Sequence, residues 1–487
     1  MTATATKKAD ATKGTDDIRQ QIETSFQRLQ DNRWKMAHTT AAERIKRLKK
    51  LRTAILRRQD ELRAAMWQDF RKPAEEVNLS ELHPALSEIQ HTIKHLKTWM
   101  KPQKVPTPMH LFGTKGYVKH EPKGVVLLLS PWNYPFNLFI NPLVTAISAG
   151  NVCMMRPSDK VKATSAMLKD LVEEVFPPEE VVVFTGPSSI SNIMLELPFD
   201  HIFFTGSPNV GRSIMASASK HLASVTLELG GQSPVVVDET ANIKEAAERL
   251  VWGKYINAGQ TCVAPNHVFV HESVLKDFIN EAKACIARHY GQTDATRKSC
   301  QDFARIVDDR THKRLGELLK SAVDAGAKVE IGGDLDASER YIAPTILSNV
   351  DSSNPIMDDE IFGPIMPIIP YRTLDEAIAA IQSRAKPLAM YIFSNNQKNI
   401  DRLLDTSTAG GTTINNTLIH FANGDLPFGG VGESGQGNYH GFFGFRNLSH
   451  ERAVLVQKKP VGTKMLFPPY NEKVQRMTKF LTGYLSR

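Results

Sequence analysis

From Gly124 onward the chain alternates short, fully apolar runs with amphipathic stretches, and this constrains its fold more than any other feature. Gly124-Val-Val-Leu-Leu-Leu-Ser is an apolar run of strand length that ends in a turn. Such a run suits a strand buried on both faces, as in a parallel sheet. Val152–Met155, Val181–Phe184, His201–Phe204 and Ser224–Leu227 read as further strands. Pro142–Ala149, Ala163–Val175, Ile190–Leu195 and Val210–Ala218 read as the helices between them. Repeated strand–helix alternation predicts a doubly wound α/β sheet. A second α/β block runs from Ser233 to about Thr412. It carries predicted strands at Ser233–Val237 and His267–Val270 and predicted helices at Asn242–Ala258 and Glu272–His289. No sequence repeat relates the two blocks.

The flanks differ in texture. Residues 16–100 are predicted to be helical. Ile45, Leu48, Ile55, Leu62 and Met66 recur at three- and four-residue steps opposite a basic face. Arg44, Lys46, Arg47, Lys49, Lys50, Arg52, Arg57, Arg58 and Arg63 crowd that segment. The cluster reads as a solvated helix face, with contact to anionic lipid or substrate as the alternative. The net charge is +8, but 52 acidic residues lie among the 60 basic ones and no nucleic-acid module is present. A nucleic-acid partner is therefore not expected. Lys101–Lys123 carries four prolines and reads as an exposed strand pair or arm. Gly410–Gly441 is glycine-dense and loop-like. At the end, Asn471–Arg487 can form an amphipathic helix. Val474, Met477, Leu481 and Leu485 would share a face, flanked by Lys473, Arg476 and Lys479.

Residues 1–15 are rich in Thr, Ala and Lys and lack the apolar run of a secretory signal, so a disordered tail is expected. The longest apolar runs fall far short of the roughly 20 residues a membrane span needs, so no transmembrane segment is expected. The four cysteines, Cys153, Cys262, Cys285 and Cys300, form neither a disulfide framework nor a metal-binding spacing. A reducing compartment, by default the cytoplasm, is the expectation, with no metal.

Several segments could carry chemistry. Gly430-Val-Gly-Glu-Ser-Gly435 fits the spacing of a dinucleotide fingerprint but lacks a preceding strand and a following helix, so it is rejected as one. Gly206-Ser207-Pro208-Asn209-Val210-Gly211 is the better candidate, because it follows a strand and opens a helix whose free N–H groups would favour a phosphate. An ordinary strand–turn–helix is the competing reading. Cys262 follows Ala258-Gly259-Gln260-Thr261, and a lone cysteine is more often a small buried hydrophobe than a nucleophile. Glu228, at the end of an apolar strand beside Gly230 and Gly231, stands where α/β proteins place ligands. It could equally be a capping or surface acid. In Ser130-Pro131-Trp132-Asn133-Tyr134-Pro135, Asn133 could donate to a developing oxyanion, or simply make a turn.

Taken together, these segments resemble the aldehyde dehydrogenase superfamily from about residue 20 to residue 470. The signatures are Ser130–Pro135, Phe203–Gly211, Glu228–Pro234, Gly259–Cys262, Glu360–Pro364 and Pro427–Gly435, in order. Asn133-Tyr-Pro-Phe-Asn-Leu, Gln260-Thr-Cys-Val-Ala-Pro, Lys386-Pro-Leu-Ala and Tyr439-His-Gly resemble the class 3 branch. The resemblance implies the aldehyde dehydrogenase fold. A Rossmann-like NAD(P)-binding domain would comprise residues 16–100 and 124–228, and an α/β catalytic domain 229–412. A small oligomerisation arm would comprise 101–123 and 442–470. Residues 413–441 would form a glycine-rich segment at the active site, and 471–487 the C-terminal helix.

The resemblance also implies roles. Cys262 would attack the aldehyde, Asn133 would hold the oxyanion and Glu228 would activate the hydrolytic water. Trp132, Arg156, Ser158, Asp159, Gly206, Ser207, Val210, Gly211, Gly230, Glu360 and Phe362 would bind NAD or NADP. Tyr134, Trp252, Thr261 and Phe428 would line the substrate tunnel. The branch takes fatty and aromatic aldehydes and is usually dimeric, so a homodimer is expected. Two positions depart from the family pattern. Arg156-Pro-Ser-Asp159 replaces Lys-Pro-Ser-Glu. The shorter acid and the phosphate-matching guanidinium predict useful NADP⁺ activity. Gln232 stands where Lys is common, with no functional reading. The stretch from Phe467 resembles membrane-associated fatty aldehyde dehydrogenases, in which a helix covers a partner subunit's substrate funnel. A tunnel-covering helix, peripheral membrane contact and simple surface packing are all open for Asn471–Arg487. The rival activities are a CoA-acylating relative, which generally lacks the basic glutamate, a cysteine esterase, and a silent binding protein.

Overall fold

The computed structural model describes the backbone of residues 2–108, 111–459 and 467–485, with side chains described from residue 16 to residue 484. The expected tail, 1–15, and the end of the expected C-terminal helix, 485–487, lie outside the described side chains.

Six strands make the first sheet, in the order Gly435–Gln436, Ser224–Glu228, His201–Thr205, Val125–Leu129, Val152–Arg156 and Val181–Val183. All pairings are parallel except that of Gly435–Gln436. Every residue of Val125–Leu129 and Val152–Arg156 is buried. That explains the apolar runs Val125–Leu129 and Val152–Met155: each fully buried Val or Leu contributes about 1.5–3 kcal/mol relative to exposure. The chain starts at Val125–Leu129, builds outward on one side, then crosses back to His201–Thr205. The topological switch point lies between those two strands, where open α/β sheets bind ligands beyond their carboxyl ends. Ser130–Pro135 and Gly206–Gly211 both begin there.

The second sheet runs Lys328–Ile331, Thr345–Ser348, Ile365–Tyr371, His267–His271, Pro234–Val237, Ala389–Phe393 and Gly411–Ile414. It is parallel apart from its first strand. Gly411–Ile414 lies inside the segment expected to be loop-like. Glycine density masked the β-prone Thr412-Thr413-Ile414 that pairs with Ala389–Phe393. The expected arm is a three-stranded antiparallel sheet, Gln103–Val105, Thr114–Pro122 and Ser449–Gln457.

The amino-terminal helices are Thr2–Ala37, Ala41–Arg57, Gln59–Phe70, Ala74–Val77 and His83–Trp99, with a π-helical turn at Asn78–Leu82. Thr40 and Glu43 close a capping box at the start of the second. The basic cluster there is not simply a solvated face. Arg44 is buried and donates to the Ser148 and Ala37 carbonyls, and Arg47 forks onto Glu180. These cations fasten the helix to the first sheet's domain. Among the described residues no helix is long and apolar enough to cross a membrane.

Candidate active site

The segment carrying Cys262 departs from its sequence expectation. A helix is predicted over Asn242–Ala258, but it ends at Tyr255, and Asn257, Ala258 and Gly259 follow with φ of 55°, 52° and 74°. Left-handed backbone costs a non-glycine L-residue roughly 1–2 kcal/mol, so other bonds must hold it. They are visible. The Asn257 side-chain amide donates to the Asn133 carbonyl (2.9 Å) and the Gln260 carbonyl (3.2 Å). Gln260 Nε2 donates to the Asn257 and Arg305 carbonyls at 3.0 Å, and its Oε1 accepts from Val307 N–H. Gly259 must lack a side chain, since a Cβ there would collide with the Gly363 carbonyl.

These bonds join the Cys262 loop to Ser130–Pro135. Asn133 is buried, and its Nδ2 donates to the Gln260 carbonyl at 3.1 Å. An amide nitrogen carries two hydrogens, so one remains for a substrate oxygen. The Tyr134 hydroxyl pairs with Thr261 Oγ1 at 2.7 Å. The Cys262 thiol is pushed up to about 12 by burial first, then by the Glu360 and Glu228 carboxyls. The backbone N–H groups of Cys262 and Val263 offset part of this.

Glu228 ends its strand as expected. It is buried, and neither carboxyl oxygen has a hydrogen-bond partner. Burial alone holds it well above the usual carboxylate range. The rejected glycine motif lies directly beside it. Gly435 pairs with Glu228, and Leu229 N–H donates to the Ser434 carbonyl. Gly430–Gly435 is thus a turn that supports the Glu228 strand.

Cys262, Thr261, Tyr134, Trp252 and Phe428 share one cavity of about 620 Å³. Its other walls are largely apolar, including Leu79, Leu138, Ile256, Val263, Leu418 and Phe421. Glu228 and Asn133 are not among the residues that line it. A larger open cleft of about 1400 Å³ lies between the amino-terminal helices and the arm, around Arg44, Lys119 and Arg446. None of the candidate catalytic residues borders it, so chemistry and not size selects the smaller cavity.

The expected cofactor residues gather at the carboxyl ends of the first sheet. Gly206 and Ser207 lead into the helix Pro208–Ser219, whose N-cap makes no side-chain hydrogen bond. Its first-turn N–H groups are free to meet an anion. Val210 is 47% exposed on that turn. Gly211 is there for packing, since a Cβ would press on Leu229 at 2.9 Å. Trp132 and Phe362 meet edge to face at 5.5 Å, and Lys160 Nζ lies 5.2 Å from the Trp132 ring centroid. Arg156 Nη2 lies 3.3 Å from Asp159 and donates to the Gly186 carbonyl, while Asp159 accepts from Ser188 N–H. Ser158 accepts from Lys160 N–H and, through its carbonyl, from Ser165. Glu360 is folded against Gly230, where a Cβ would strike its carboxyl. Burial raises Glu360 despite Gly231 N–H and Lys254. The free helix start, the aromatic pair and this close-fitting glycine fit a dinucleotide.

Sequence reasoning missed Asn257, absorbed into an expected helix, and Tyr439, whose phenol is raised by burial and by both Glu228 and Cys262. Gln232 also acquires a role. It donates to the Met357 carbonyl and accepts from Arg384, bracing two loops.

Residues 3–454 match the aldehyde dehydrogenase family. The chain is 43% identical to the 4,4'-diaponeurosporen-aldehyde dehydrogenase of Staphylococcus aureus, covering 90% of this chain and 94% of that one. It is 38% identical to aldehyde dehydrogenase family 3 member A2 of Pongo abelii, over 90% and 89% of the two chains. A solved structure of Staphylococcus aureus AldH in a substrate-bound state superposes with a TM-score of 0.90 at 41% identity, covering 94% of this chain and 99% of that one. The chain belongs to the aldehyde dehydrogenase family, as an enzyme that oxidises aldehydes to acids with NAD or NADP.

Proposed function

We propose that Cys262 is the nucleophile, Asn133 the oxyanion donor and Glu228 the hydrolytic base, acting on a long apolar aldehyde. The observation that carries this reading is the join between two loops, Asn133 to Gln260, beside a cysteine on an apolar cavity wall. The Cys262 thiol passes its proton to solvent, and its sulfur adds to the carbonyl carbon to give the thiohemiacetal. Its oxyanion is met by the second Asn133 hydrogen and the Cys262 backbone N–H. A bound nicotinamide would supply the hydride acceptor needed to oxidise this adduct to a thioester. Glu228, once ionised, removes a proton from water attacking the thioester. The acid leaves and the thiol is restored. Glu360, Phe362, Trp132 and the start of the helix Pro208–Ser219 would hold the cofactor, with Arg156, Ser158 and Asp159 at its adenosine end. Glu228 argues against release to CoA, and the cofactor cradle against a dedicated esterase.

The apolar cavity favours aliphatic or aromatic aldehydes, since each buried CH₂ contributes about 0.8 kcal/mol. Arg156 is nearly buried against Asp159, so it supports a 2′-phosphate by neutralising that acid rather than by offering a free fork. The long outer strand of the arm, Ser449–Gln457, is mostly exposed and suits pairing in a homodimer. The helix Glu472–Leu485 presents Phe480 (71% exposed) and Tyr484 (63%). Its place is the partner's cavity mouth, with peripheral membrane contact as a second use of the same apolar face. Four unpaired cysteines fit a reducing, cytoplasmic setting. The test is a ladder from acetaldehyde through octanal and hexadecanal to benzaldehyde with each cofactor. Efficiency should rise with chain length, and NADP⁺ should lie within a thousandfold of NAD⁺. A peak at acetaldehyde, or a larger cofactor gap, would contradict the reading.

A further inference from the structure

A polar group on the amino-terminal helices reaches the catalytic loops, and the mechanism above does not use it. Lys72 and Glu81 form a fully buried ion pair at 2.7 Å. Glu81 also accepts from Asn137 N–H at 2.8 Å, and Lys72 Nζ lies 3.9 Å from the Tyr134 ring centroid. This pair therefore anchors the chain at Tyr134 and at Asn137, three residues beyond it. One helical turn away, Glu76 Oε2 accepts from Asn257 N–H at 3.0 Å. Asn257 is the first of the left-handed residues, and its side-chain amide ties the Asn133 carbonyl to the Gln260 carbonyl. The bonds thus run from Glu76 to Asn257 and from there to both Asn133 and the residue two before Cys262.

We infer that Glu76 is a positioning residue for the reaction. By accepting from Asn257 N–H it fixes the left-handed turn that aligns the Asn133 amide with the Cys262 loop. This inference rests on the reading of Cys262 as nucleophile and Asn133 as oxyanion donor. The titratable groups coupled to Glu76 are Lys72, Glu81, Asp302, Tyr134 and Tyr290, with Asn257 N–H the donor to it. Lys72 is already bonded to Glu81. A buried N–H deprived of its acceptor is costly, so the turn would relax if Glu76 were truncated. A misplacement of about 1 Å can slow a reaction that depends on near-attack geometry by roughly 10²-fold. Glu76 also borders the apolar cavity, which offers a competing role as a charged wall acting on substrate binding.

The experiment separates these roles. Single-turnover formation of NAD(P)H from octanal is measured in the wild-type chain, Cys262→Ala, Glu76→Ala and Glu76→Gln. Steady-state KM and melting temperature are recorded for each. Gln keeps a carbonyl oxygen to accept from Asn257, whereas Ala keeps none. The expected result is at least a tenfold slower single turnover in Glu76→Ala, KM within threefold, and recovery to within threefold of wild type in Glu76→Gln. A Glu76→Ala rate within threefold of wild type overturns the inference. So does an effect confined to KM, or equal loss in both Glu76 variants. If Glu76→Ala does not fold, loss of rate in the folded Glu76→Gln decides against it, and retained rate supports it. Failure of the reading beneath it would look different: no wild-type turnover, or full turnover in Cys262→Ala.

Discussion

The wall behind Cys262 and the outer parts of the cavity are built by opposite means. Behind the cysteine, Asn133, Asn257 and Gln260 exchange buried hydrogen bonds that leave little freedom in either loop. On the outer side, the surfaces are apolar and partly open. Trp252, on the cavity wall, is 38% exposed. Directional bonds position reacting atoms to fractions of an ångström, while apolar contact scales with area and tolerates many shapes. The contrast implies that substitutions behind the wall act on rate, and those at the outer surface on substrate choice.

The largest effect should come from Glu228→Gln. Without a base, thioester hydrolysis should slow by roughly 10³-fold, with a burst of about one NAD(P)H per site before turnover stalls. Stopped-flow absorbance checks this, and undiminished steady turnover would break the contrast at its strongest point. Asn133→Ala should follow, at about 10²-fold in kcat with KM little changed, the usual cost of one oxyanion donor. A change confined to KM would place Asn133 among the binding residues instead. The smallest effect belongs to deletion of residues 471–487, which should lower the preference for hexadecanal over acetaldehyde by less than tenfold and leave kcat for short aldehydes intact. An unchanged preference would remove the helix from the substrate path.

The fold was legible because the two sheets are buried, and burial writes itself as apolar runs such as Gly124–Leu129 and His201–Phe204. The three-residue left-handed turn before Cys262 was not legible. Its residues, Asn257 and Ala258, continue a helical pattern, and only tertiary hydrogen bonds pull them out of it. The strand Gly411–Ile414 was hidden for the converse reason: its neighbours are glycines and its edge position asks little of its side chains. Among the site residues, Cys262, Tyr134, Thr261, Trp252 and Phe428 meet on one cavity. Glu76 carried no signal at all, because a glutamate on an exposed-looking helix has the same local sequence whether or not it reaches a catalytic loop. The basic run Arg44–Arg63 misled in the other direction. Charge suggests solvent, yet Arg44 and Arg47 are spent on internal bonds.

The central claim is that Cys262 carries the chemistry. It is tested most directly by following NAD(P)H formation from octanal and benzaldehyde in wild type and Cys262→Ala, with the folded state of each checked by melting temperature. Turnover of both aldehydes in the wild type, and none in the variant at unchanged stability, is the expected result. Substantial oxidation by folded Cys262→Ala would contradict it.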